Sequence, residues 1–160
     1  MLNPEDREKI QTVIRTHWFI WLSFAAAIVM YTFVVFIVTQ SRSGEPPELG
    51  ILRTIFIVIS LVLGAVKFWL QRGLLFEETA YRQCGTIDEI IAKYAGRYFI
   101  ILAVCEAPAL LGLVIAFLTG RLEDWWLFFL ISAALFATST PQHARLETIA
   151  QAHAARTSAQ

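Results

Sequence analysis

The chain has 160 residues, 57% of them hydrophobic and only 16% charged, with a mean hydropathy of +0.59 and a formal net charge of zero. Soluble domains are about 45–50% apolar and about 25% charged, so this composition excludes an ordinary water-soluble globule. A balanced charge provides no field to recruit nucleic acid, and the expected partner is a lipid bilayer.

The N-terminal "NPEDREK" places Asn3 as a helix cap, Pro4 in the first helical position and acids in the first turn. Ile10, Val13, Ile14 and Trp18 then share one face, which predicts one helix running from Pro4 into the first apolar block, 18–39. That block is too long for a signal peptide and lacks a small-residue cleavage site, so it reads as a retained anchor. "SRSGEPPELG" (41–50) is a turn, because two prolines break any helix interior. A second, shorter block covers 54–71. "GTIDE" is a capping box of Thr86 with Glu89, so the third helix starts well ahead of its apolar block, 98–119, with Ile90, Ile91 and Tyr94 as the apolar face.

The fourth block covers 125–140. Beyond it, "TPQHARLETIAQAHA" predicts a tail helix over about 141–155, with Thr140 as cap and Pro141 opening it. Leu146, Ile149, Ala150 and His153 form its stripe. That helix either continues the fourth block through a proline kink or lies along the membrane surface. The expected architecture is all-α: one transmembrane domain over 1–160, a four-helix bundle of two hairpins with short cytoplasmic helical extensions. A membrane helix needs roughly 20 apolar residues; the first and third blocks meet this, while the second and fourth borrow flanking residues. A faint repeat aligns 17–27 with 97–107 at an offset of 80, placing Ala26 where Glu106 stands.

Ten of the thirteen basic residues fall in the N-terminus, the middle connection with its flanks, and the tail. Only Arg42, Arg53 and Arg121 serve the other two connections. The positive-inside rule therefore places both termini in the cytoplasm of a bacterial inner membrane. The aromatic belts agree: Trp18, Trp21, Trp69 and Tyr98 at the inner interface, Trp125 and Trp126 at the outer. Cys84 and Cys105 are not placed to form a disulfide in that compartment.

"AVCEAPALLG" (103–112) sets a carboxylate and a proline inside an apolar run. A charge at a helix centre costs about 2.5–3.5 kcal/mol on insertion scales, so Glu106 has to be neutral, paired or facing a partner. Three readings stand. Glu106 is a structural carboxyl locked to another helix, with Lys67 of the second block as partner at matching depth. Or it is a titratable proton or cation site, beside the Val104 carbonyl that Pro108 leaves without a helical donor. Or it belongs to an interface, since Cys105, Pro108, Gly112 and Ala116 share one flank, and Gly112 with Ala116 forms a small-xxx-small pair.

The stretch "LAVCEAPALLGLVIAFL" resembles the carboxylate-bearing helix of rotary ATPase proteolipid (c) subunits, through Glu106, Ala107, Ala109, Gly112, Leu113 and Val114. The resemblance implies an ion-carrying role for Glu106. It covers about 17 residues, and the glycine-rich first helix and short polar turn of that family are missing. As a whole the chain resembles small four-span bacterial membrane proteins of unknown function. The sequence contains no GxSxG, P-loop, HExxH or GxGxxG motif, and His17, His143 and His153 are too scattered for a metal site. The expectation is a non-enzymatic membrane subunit without cofactor or metal, forming a homo-oligomer or joining a larger membrane complex. The alternative is a proton- or cation-linked transport component using Glu106.

Overall fold

The computed structural model describes residues 4–41, 49–76, 81, 83–141 and 143–157, and its regular structure is helical throughout these residues. Helix α1 spans Pro4–Ser41, α2 Gly50–Leu70, α3 Ile87–Thr119, α4 Leu122–Ala137 and α5 His143–Thr157; α2 runs into a π-helical turn, Gln71–Phe76. Asn3 and the 42–48 turn lie outside the described residues. Three helices, α1, α2 with its extension and α3, are long and apolar enough to cross a membrane. Helix α4 is equally apolar, but its 16 residues reach only about 24 Å at 1.5 Å per residue.

Local signals set the helix ends. Thr86 Oγ1 accepts from the Glu89 amide at 3.3 Å, and Glu89 Oε2 reaches back to the Gly85 amide at 2.7 Å. Both halves of the box thus satisfy amides that have no helical acceptor. At the other end α3 stops at Gly120, whose φ of 68° is a left-handed cap. Helix α4 ends earlier than the apolar block: Thr138 caps it, and the Ser139 amide closes a tight turn on the Phe136 carbonyl at 2.9 Å. Pro141 does not open the tail helix, which begins at His143. It sits buried in the connection, where its ring biases Thr140 away from helix and stops α4 from running on.

The expected two hairpins reduce to one. Helices α3 and α4 form a close antiparallel pair, while α1 and α2 each pack on both and scarcely touch one another. Helices α1 and α3 run parallel in a steady register: Lys9 meets Asp88, His17 meets Tyr94 and Tyr98, Phe24 meets Phe99, and Tyr31 meets Glu106.

The outer surface is apolar. Phe33, Ile37, Ile51, Leu61, Trp69 and Leu130 are each 60% or more exposed. Large exposed apolar patches are not tolerated on soluble monomers, and here they ring the helices.

The tail helix does not continue α4 but packs back on the bundle. Helix α5 docks on the N-terminal arms of α1 and α3, burying Leu146, Ile149 and Ala150 in the cluster that holds Ile10, Ile14, Ile90 and Tyr94. Lys9 bridges two of these elements through Asp88 at 3.3 Å, and that contact raises the Lys9 pKa.

At the far end Arg53 of α2 pairs with Asp124 of α4 at 3.0 Å. Asp124 is buried in the first turn of α4, where the helix dipole favours negative charge. Arg53→Met is expected to cost about 1–2 kcal/mol, since bonds to charged groups contribute about 1.5–3 and Arg53 is partly solvent-screened. Unfolding in detergent micelles measures this, and an unchanged midpoint would show the pair to be idle.

Candidate functional site

Among the described residues, the polar side chains around Glu106, Lys67 and Cys105 form three groups, each where α3 or α4 meets a neighbour. Glu106 is half-buried on the side of α3 that faces α1. The parallel register of the two helices brings Tyr31 to its level, and the phenol donates to Glu106 Oε1 at 2.6 Å. The second oxygen has no hydrogen-bond donor among the described residues. A carboxylate accepts about four bonds, so the phenol alone leaves it incompletely satisfied.

Lys67 is fully buried, but its partner is not Glu106. Its ammonium donates to Thr138 Oγ1 at 2.7 Å and lies 4.3 Å from the Phe68 ring centroid. Thr138 Oγ1 in turn donates to the Leu135 carbonyl at 2.9 Å, and Gln71 Nε2 donates to the Thr138 carbonyl at 3.3 Å. The positive charge is thus held at the C-terminal end of α4, where unpaired carbonyls and the helix dipole favour a cation. No ion pair joins Lys67 and Glu106: the structure places them on different sides of α3.

The third place is the flank of Cys105, Pro108, Gly112 and Ala116, all buried. It faces α4 within the same chain. Ser132 Oγ donates to the Cys105 carbonyl at 2.6 Å, and Cys105 Sγ lies 3.4 Å from Ser139 Oγ. Pro108 loosens the ladder at this level, because it removes the amide that would bond the Val104 carbonyl; Ser132 supplies a donor one residue further along. Gly112 lies directly against Phe128, so the small-xxx-small pair serves packing within the chain. Ser139 also accepts the Tyr98 hydroxyl on its carbonyl at 2.8 Å, joining α3 to the start of the α4–α5 connection.

The sequence reading singled out Glu106, Lys67, Pro108, Gly112 and Ala116 and missed their partners Tyr31, Thr138, Ser132 and Phe128. Ser132 bonds across to α3. The one available signal for Tyr31 was a phenol inside a largely apolar span. Its match to Glu106 depends on the α1–α3 register, and the 80-residue offset of the faint repeat points to Ala26 instead.

Chemically, these groups join helices: each links an α1, α2 or α4 residue to another element, and no nucleophile, base and oxyanion donor converge. Among the described residues no three His, Cys, Asp or Glu side chains gather to hold a metal ion. No protein-family model, no curated protein and no solved structure matches the chain.

Proposed function

We propose that the chain is a non-enzymatic subunit of a bacterial inner membrane, crossing it four times with both termini in the cytoplasm. It acts by associating with itself or with a larger membrane complex. The observation that carries this reading is how the intramembrane polar groups are used. Tyr31 with Glu106, Trp125 with Thr32, Ser132 with Cys105 and Lys67 with Thr138 are hydrogen bonds between elements. Polar groups used in this way fasten membrane helices together. The fourth crossing rests on α4, whose antiparallel packing on α3 carries it back through the same layer; its short length is met by local thinning of the bilayer.

Reporter fusions test the topology. A reporter inserted at Gly44 should read outside, and one at the C-terminus should read cytoplasm. An outward C-terminus would overturn the four-crossing arrangement. Cross-linking in native membranes, followed by sizing in mild detergent, tests association: the polypeptide mass should exceed the 18.1 kDa of one chain. A strictly monomeric species without a cross-linked partner would rule the subunit reading out.

The half-buried Glu106, with one oxygen lacking a donor, favours a second reading: a proton- or cation-linked transport component. In proteoliposomes under an imposed ion gradient, wild-type flux that survives Glu106→Asp but disappears in Glu106→Gln supports transport. Flux no greater than in protein-free vesicles rejects it.

A further inference from the structure

His17 sits on α1 one residue ahead of the apolar block, where the bundle meets the three-helix arrangement of α1, α3 and α5. Its imidazole is 2% exposed, and its Nδ1 is the only buried side-chain nitrogen or oxygen without a hydrogen-bond partner among the described residues. Native structures leave few such groups, and each calls for an explanation.

Two tyrosine rings flank the imidazole. Helix α3 faces it with Tyr98 and Tyr94, at centroid separations of 5.0 and 5.6 Å and interplanar angles of 56° and 55°. The Tyr98 hydroxyl is already committed to the Ser139 carbonyl. Lys67 of α2 is held by Thr138. Helix α5 turns Leu146, Ile149 and Ala150 into the shared cluster.

A neutral imidazole is tolerated here as an aromatic ring. Protonation would make both nitrogens donors and place a cation beside two tyrosine rings, with Nδ1 lacking an acceptor among the described residues. Tilted tyrosine rings return at best about 0.5–2 kcal/mol of cation–π attraction, whereas a buried unpaired charge costs several. The arms cannot stay closed around that charge.

We propose that His17 makes the closure of this three-helix arrangement acid-sensitive, so that its protonation parts the N-terminal arms of α1 and α3 and opens the groove that holds α5. The sign follows from linkage. The closed state binds fewer protons than the open one, in which imidazole titrates at its ordinary value of about 6.5. Closure is therefore complete above that value and weakens progressively as the pH falls below it.

The test uses the full chain in nanodiscs, with spin labels at exposed Thr12 on α1 and Ala92 on α3 and with Cys84 and Cys105 replaced by alanine. Pulsed electron resonance should show one narrow distance at pH 7.5. At pH 5.5 a second, longer distance should appear, reversibly, and it should be missing in His17→Phe. If that variant misfolds, His17→Gln, neutral at both pH values, takes its place with the same criterion. A wild-type distribution identical at both pH values overturns the proposal. So does an equal response in the His17 variant, or a response abolished by His153→Gln.

Discussion

Gly112→Ala is expected to destabilise the protein by about 1–3 kcal/mol, the usual cost of overpacking a close contact. A Cβ at Gly112 would stand 2.5 Å from Phe128 Cβ, 3.0 Å from its Cγ and 3.2 Å from its Cδ2. The first of these atoms is rooted in the α4 backbone and cannot swing away. The two helices would have to separate, and one turn along they are tied by the 2.6 Å bond from Ser132 to the Cys105 carbonyl. Phe128→Ala should not rescue the variant, because alanine retains the Cβ that collides. Gly96 supplies the control: nothing lies within 4 Å of its Cβ position. Gly96→Ala should be neutral or stabilising, by at most the helix-propensity difference of about 1 kcal/mol. Unfolding in mixed micelles, followed by tryptophan fluorescence, compares the two. Equal midpoints for Gly112→Ala and Gly96→Ala would mean that α3 and α4 do not approach this closely.

Tyr31→Phe should cost about 1–3 kcal/mol, within the range for losing a hydrogen bond to a charged group and stranding its acceptor. The variant removes one oxygen and leaves the Glu106 carboxyl without a donor among apolar helices. Glu106→Leu added to Tyr31→Phe should recover part of the loss, since it removes the stranded group as well. A double-mutant cycle should therefore return a coupling of at least about 0.5 kcal/mol. The same cycle between Lys67 and Glu106 should be additive within about 0.3–0.5 kcal/mol, because Lys67 is bonded to Thr138 instead. Coupling between Lys67 and Glu106, or additivity between Tyr31 and Glu106, would contradict the arrangement described here.

What the sequence determined by itself was local. Thr86 with Glu89 caps α3 because a capping box needs only residues three apart. Pro4 begins a helix that runs unbroken to Ser41, and the Leu146, Ile149 and Ala150 stripe is the buried face of α5, since helical periodicity selects a face without naming what covers it. The flank from Cys105 to Ala116 was legible for the same reason.

Tertiary structure decided which faces meet. Counting residues placed Lys67 and Glu106 at similar depth, but depth is only one coordinate. Successive residues on a helix point about 100° apart at 3.6 per turn, and Lys67 reaches Thr138 at the end of α4 while Glu106 faces Tyr31 of α1. The azimuth of each helix follows from the packing of all four, above all from the contact that Gly112 permits with Phe128. That same contact places α3 and α4 in the middle, so that α1 and α2 part and a chain expected as two hairpins contains one. The docking of α5 is likewise a long-range choice: its apolar stripe fits the groove between two arms that the parallel register of α1 and α3 creates, and no local rule in the tail encodes that register.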